Sequence, residues 1–358
     1  MKQLSDSFKI GPVTVKNRLA VPAMVCFDWA GDDGLVTDRH MAHYRALAMG
    51  GAGVIFSEAV CVTKRGRLHQ TQLGIWEDEH IAGWKKLADI CHQNGVPLLA
   101  QIHHAGINGI DDMADCPSDY TPAHPHHTPG KEMTLDRLVY IRNAFVKAAL
   151  RCKAAGLDGV ELHGCHGYLL SQFLSSKVNR RTDEYGQDRT LFVKEILESV
   201  RIACGPDFCV GIRLAAFEPT FEDGLRHAMA LAPYVDFLDI SYGIQSDVSA
   251  CPADFPFRPS FYAAMKIKEM LPDVPVFSVD MITSGEMARD VLALTQIDGI
   301  DVGRGHLVNY NFANDTFAGR DTGKCLHCKG GCAWGPTGNP DNPCPGKMLL
   351  EKKRSQKQ

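Results

Sequence analysis

The chain has 358 residues, 45% hydrophobic and 22% charged, with a formal net charge of −4, which excludes a disordered, collagen-like or coiled-coil protein. No basic stripe precedes the last dozen residues, so neither a nucleic-acid nor a membrane-surface partner is expected. No apolar run approaches the roughly 18 residues of a membrane span, and the opening MKQLSDSFKIGP lacks the apolar core of a secretory signal.

Taken in chain order, residues 8–16 read as a hairpin, and then eight apolar, β-rich runs alternate with helical patterns. Strands are expected at 19–24, 53–59, 97–103, 159–163, 209–214, 237–241, 276–279 and 300–302. Helices are expected at 38–49, 79–94, 135–155, 190–203, 222–232, 261–270 and 286–294. Thr220 with Asp223 and Thr283 with Glu286 have capping-box spacing. Strand–helix alternation implies a parallel sheet, and eight units in about 300 residues imply a closed α/β fold, the (β/α)8 TIM barrel. An open doubly wound sheet would usually carry a glycine-rich dinucleotide turn, and neither GxGxxG nor GxxxxGK[ST] occurs.

The hairpin is placed to plug the bottom of that barrel. A barrel domain over 1–318 and a C-terminal cysteine-cluster extension over 319–358 are expected, with the end from Lys347 solvated and partly disordered. The connections 105–134 and 242–259 are long enough to be functional lids.

Active sites of such barrels lie at the C-terminal ends of the strands. The fourth strand ends in ELHGCHGY, offering His163, His166 and Tyr168. Two imidazoles three residues apart can converge on one carbonyl oxygen or on a metal, and a tyrosine two residues on can deliver a proton. Gln101 with His103 and His104 at the third tip, Arg213 at the fifth, and Gly303 with Arg304 at the eighth suit a flat, phosphorylated ligand.

Thirteen cysteines are an odd number. Nine are scattered with no disulfide spacing, which fits a reducing cytoplasm. The other four lie in CLHCKGGCAWGPTGNPDNPCP, as Cys325, Cys328, Cys332 and Cys344. Zinc ribbons pair two CxxC knuckles across a longer gap. Here three thiols fall within eight residues around Gly330 and Gly331, and Pro345 follows the fourth, which suits an iron–sulfur cubane, with zinc as the alternative.

With VTDRHMAHYRALAMGGAGVIFSEAV, LLAQIHHAG, GVELHGCHGYLLSQFLS followed by NRRTDEYG, and VDMITSG with GIDVGRG, the chain resembles the old yellow enzyme family of flavin-dependent ene-reductases over essentially its whole length. The cysteine spacing is similar to that of the branch typified by 2,4-dienoyl-CoA reductase. The resemblance implies FMN across the barrel mouth, against Pro22, Ala23, Met24, Val25 and Ala59. Its pyrimidine edge would lie near Gln101, its N1 and O2 near Arg213, and its phosphate near Met281, Gly303 and Arg304. It implies a [4Fe-4S] cluster on the four clustered cysteines, a substrate carbonyl held by His163 and His166, and Tyr168 as proton donor. The implied reaction saturates a C=C bond conjugated to a carbonyl: an enone, enoate or enoyl thioester.

Departures from the family pattern are Val25 where a Thr or Cys usually touches the flavin, Asp280 in place of a glycine beside the phosphate, and His166 where the dienoyl-CoA branch has a glutamate. That branch continues into FAD- and NADPH-binding domains, whereas this sequence stops fourteen residues past Cys344. A separate electron donor, a ferredoxin or flavoprotein docking near the cluster, is therefore expected, with direct reduction by NAD(P)H as the alternative. An amine demethylase, an electron-transfer subunit and, more remotely, a zinc hydrolase are the rival functions. Substrate specificity is expected in the two long loops, one of which holds His124, His126 and His127. A homo-oligomer stays open.

Overall fold

A computed structural model of the protein describes residues 2–110, 114–121, 129–243, 246–328, 332, 334 and 344–356. Eight parallel strands close into a barrel in chain order. They are β1 (Leu19–Val21), β2 (Val54–Cys61), β3 (Leu98–His103), β4 (Gly159–Gly164), β5 (Cys209–Ala215), β6 (Phe237–Ser241), β7 (Val276–Val279) and β8 (Gly299–Asp301). Outside them lie α1 (Asp38–Met49), α2 (Ile81–Gln93), α3 (Leu135–Ala154), α4 (Leu191–Cys204), α5 (Phe221–Leu231), α6 (Pro259–Met270) and α7 (Gly285–Thr295). The (β/α)8 barrel is the expected architecture.

Local chemistry explains these elements. In α4, Phe192, Val193, Ile196, Leu197 and Val200 recur at helical spacing and are all buried. The helix stops at Gly205, whose φ of +76° suits a residue without a Cβ. Helix α5 starts where expected, with the Thr220 side chain accepting from the Asp223 amide at 3.2 Å. Helix α7 differs: its cap is Ser284, which accepts from the Met287 amide at 3.1 Å, and Thr283 lies one residue before it.

The pleat places alternate residues of each strand inside the barrel, and these form three levels. At the bottom, Phe56, Phe237 and Phe277 pack together with Leu99 and Val54. A Cβ on Gly211 or Gly299 would come within 2.1 Å of the Phe237 or Phe277 ring, so those two positions must stay bare. The hairpin, Phe8–Ile10 paired with Val13–Val15, closes this end with Ile10 and Val15, both fully buried. Two residues further along the strands the interior turns polar, with Gln101, Glu161, Arg213, Asp239 and Asp301. His103, His163 and Ser241 stand above them, toward the mouth.

Several boundaries differ from the sequence reading. Strand β1 ends at Val21, so residues 22–25 are already loop, whereas β2 runs on to Cys61 through a register shift between Phe56 and Ala59. The C-terminal end is not a loose tail: Pro345–Ser355 is a helix. Pro345 starts it, Leu350 is buried, and Arg354 and Lys353 pair with Asp315 and Asp321. Among the described residues no helix is long and apolar enough to cross a membrane.

Candidate active site

Strand β4 delivers His163, and the turn after it delivers His166 and Tyr168. His166 has a φ of +57°, a left-handed conformation that turns its ring back toward the strand tip. The imidazoles form a chain: His103 Nδ1 lies 3.1 Å from His163 Nδ1, His163 Nε2 lies 2.9 Å from His166 Nδ1, and His166 Nε2 lies 2.8 Å from Ser241 Oγ. Neutral rings satisfy this chain in either direction, each giving one N–H and accepting one.

Burial enforces that neutrality. It pushes His103 and His166 down to about 3 and His163 well below its ordinary value, with neighbouring imidazoles or Arg213 acting in the same direction. Tyr168 packs edge-on against His103 and His163, with ring centroids 4.5 and 4.8 Å away. Burial pushes its phenol up to about 12, so it is a proton carrier throughout the neutral range. Its hydroxyl has no hydrogen-bond partner among the described residues.

Beside this constellation lies a cavity of about 420 Å³, within the size range of cofactor sites. Its wall contains His166 and Arg213, Pro22, Ala23, Met24 and Val25, and Met281, Gly303 and Arg304. Cys325 and Cys332 line the same cavity. Gln101 and Ala59 do not. Both are buried in the barrel wall, paired across β2 and β3, and the Gln101 amide donates to Glu161 at 2.5 Å.

Asp280 also lines the cavity, where a carboxylate would oppose a phosphate, but its charge is answered. Arg258 Nε lies 3.1 Å from Asp280 Oδ2, and the Tyr242 hydroxyl donates to the same oxygen at 2.9 Å. Cys26 turns away from the cavity: its amide donates to the buried Glu58 carboxyl at 3.0 Å. Burial raises Glu58 to about 8.

None of the thirteen cysteines is in a disulfide. Cys325 and Cys344 are half-buried, and Cys328 and Cys332 exposed. Four free thiols within twenty residues, two of them on the cavity wall, match an iron–sulfur cluster in ligand kind and number, and their sulfur atoms are not gathered into one group here. Gly330, Gly331, His124, His126 and His127 lie outside the described residues. His163, Cys165 and His166 form the one group of three metal-type donors found among the described residues, with ligand atoms within 4.8 Å of one another.

The sequence reading missed Ser241 as the support of His166, and it missed the carboxyl groups inside the barrel. A carboxylate at an inward position of an apolar strand, as in FLDIS or GVELHG, is the signal that could have found the latter.

Comparison with known proteins agrees with the fold. The chain is 34% identical over 348 residues to an NADH oxidase of Thermoanaerobacter brockii, covering 91% of this chain and 53% of that protein. It is 34% identical over 340 residues to an NADPH dehydrogenase of Bacillus subtilis, covering 91% and 96%. Among solved structures, a 2-naphthoyl-CoA reductase in complex with 2-naphthoyl-CoA superposes with a TM-score of 0.81 at 26% identity, over 89% of this chain and 52% of that one. The chain thus spans about half the length of the NADH oxidase and of the naphthoyl-CoA reductase. The model of the NADH:flavin oxidoreductase / NADH oxidase family matches residues 3–322. The chain belongs to that family of FMN-dependent oxidoreductases.

Proposed function

We propose that the chain is an ene-reductase that saturates a C=C bond conjugated to a carbonyl. The observation that carries this reading is the neutral His163–His166 pair with the Tyr168 ring packed against His163, where His166 lines a cavity together with Arg213, Gly303 and Arg304. FMN, when bound, supplies the hydride. Pro22 to Val25 would lie against its ring, Arg213 at N1 and O2, and Met281, Gly303 and Arg304 at its phosphate. Gln101, in the same polar level as Arg213, and Ala59 do not line the cavity.

The protein's own groups then act on the substrate. His163 and His166 each point an N–H at the carbonyl oxygen, breaking their mutual hydrogen bond to do so, and hold the charge that grows there as the β-carbon is reduced. Because both rings resist protonation, they polarise the oxygen as neutral donors. Tyr168 gives its proton to the α-carbon and is restored from solvent.

Cys325, Cys328, Cys332 and Cys344 would hold a [4Fe-4S] cluster, which moves electrons singly. Cys325 and Cys332 on the cavity wall support electron entry from that side, from a ferredoxin or flavoprotein; NAD(P)H, the reductant in the relatives' names, is the competing donor. Enones, enoates and enoyl thioesters share the required conjugated carbonyl, and the aryl thioester held by the naphthoyl-CoA reductase is of the same kind.

The test is anaerobic. The purified protein should contain FMN, iron and sulfide, and its chemically reduced flavin should be reoxidised by members of an enone, enoate and enoyl-thioester panel. A flavin that stays reduced against the whole panel, but is bleached by secondary or tertiary amines, would replace this reading with the demethylase.

A further inference from the structure

The polar level inside the barrel holds three carboxyl groups and one guanidinium. Glu161, Asp239 and Asp301 come from β4, β6 and β8, alternate strands that supply one level of a barrel, where branched apolar side chains are the rule. Each is at most 1% exposed. Arg213 lies among them, with Nε 3.0 Å from Asp239 Oδ2. One Glu161 oxygen and all four oxygens of Asp239 and Asp301 lack a well-aligned hydrogen bond to any donor. Gln101 gives its amide to the other Glu161 oxygen.

Charge balance follows from this geometry. Three ionised carboxylates against one guanidinium would leave a net charge of −2 sealed from water, and buried charge of that kind is not tolerated unpaired. Asp239 is the one carboxylate on the guanidinium, and its charge acts on both Glu161 and Asp301. Burial, followed by the charge of Asp239, raises both Glu161 and Asp301 well above the carboxylate range. Arg213 stays charged because Asp239 and the surrounding acids outweigh the effect of burial. The level is neutral when Arg213 pairs with Asp239 and Glu161 and Asp301 each hold a proton.

We propose that Glu161, Asp239 and Asp301 are positioning residues for the flavin: Asp239, paired with Arg213 and buried beside the Glu161 and Asp301 carboxyl groups, sets how much of the Arg213 charge reaches the FMN pyrimidine edge. The proposal rests on the placement of Arg213 at FMN N1 and O2. Reduced flavin carries its negative charge at that edge, so a neutralised arginine stabilises it less than a bare one would. Asp239 thus holds the reduction potential down and makes the bound flavin a stronger reductant.

The experiment measures the potential of the bound FMN by dye equilibration under nitrogen, together with FMN affinity in both redox states. Asp239→Asn should bare the arginine and tighten reduced FMN relative to oxidised FMN by tenfold or more, a rise of about 30 mV for a two-electron couple. Asp301→Asn and Glu161→Gln replace neutral carboxyls by neutral amides and should move that ratio less than twofold. Arg213→Gln should lower it by tenfold or more.

A potential unchanged or lowered in Asp239→Asn, while Arg213→Gln still responds, overturns the proposal and leaves the flavin placement standing. No response in Arg213→Gln overturns the proposal together with that placement. Should Asp239→Asn fail to fold, a tenfold change in Asp301→Asn or Glu161→Gln is enough to overturn it, because it puts the negative charge on the wrong carboxyl group.

Discussion

Replacing Tyr168 by phenylalanine removes one oxygen and little else. The ring would keep its edge-on contacts with His103 and His163 at 4.5 and 4.8 Å. The lost hydroxyl has no partner among the described residues, so folding stability should change by less than about 0.5 kcal/mol. If Tyr168 supplies the α-proton, the loss falls on the second half-reaction alone. General-acid removal typically costs 10²- to 10⁴-fold, or about 3–5 kcal/mol of barrier at 1.36 kcal/mol per decade. Anaerobic stopped-flow separates the halves: reduction of the flavin should proceed at the wild-type rate, and reoxidation by an enone should slow by that factor. In the wild type the phenol is held up near 12, so reoxidation should show no inflection from this group between about pH 6 and about pH 10. Reoxidation of Tyr168→Phe at the wild-type rate would refute the assignment and leave water as the proton source.

Other expectations follow from the same contacts. Ser241→Ala removes the support of His166 Nε2 and should weaken binding of a carbonyl analogue several-fold while FMN stays bound, as read by the charge-transfer band of the complex. Glu58 holds a proton in the native state up to about 8, whereas the unfolded chain releases it above about 4.5. Its contribution to stability is therefore complete below about pH 4.5 and is lost as pH rises through 8, at up to roughly 1.4 kcal/mol per pH unit; thermal unfolding of Glu58→Gln should show a shallower decline between about pH 4.5 and about pH 8. Cys328→Ala should lose iron and sulfide but keep FMN, and a one-electron donor should then reduce its flavin more slowly than it reduces the wild-type flavin; rapid and equal bleaching by NADPH in both proteins would assign the donor role to the nucleotide. Ile10→Ala, which opens the barrel floor beneath Phe56 and Phe277, should cost about 2–5 kcal/mol by denaturant unfolding.

The barrel was legible because its strands are apolar runs too short to be anything else and its helices carry one buried stripe each. Phe192 to Val200 in α4 show the stripe, and the hairpin was visible in FKIGPVTV. Strand ends were less so. The first strand stops at Val21 because Pro22 has no amide to continue the ladder, a limit that the apolar Pro22–Val25 run conceals. The final helix was hidden by its charge: EKKR reads as solvated until Leu350 is seen buried and Arg354 is seen paired with Asp315. In the site, His163, His166 and Tyr168 could be read as a set because they share one turn. Ser241, seventy-five residues after His166, and Arg258, which answers Asp280 across twenty-two, are joined to them only by barrel closure. Gln101 stood out as polar at a strand tip, yet polarity alone could not show that its amide is turned toward Glu161.

The most direct test of the ene-reductase reading is a single turnover in D2O. The flavin is reduced anaerobically, mixed with an enone or enoyl thioester, and the product is examined by NMR. One saturated product per flavin reoxidised is expected, with the carbonyl intact and deuterium at the α-carbon. An allylic alcohol, showing reduction at the carbonyl carbon, or a flavin left reduced while the C=C bond persists, would contradict it.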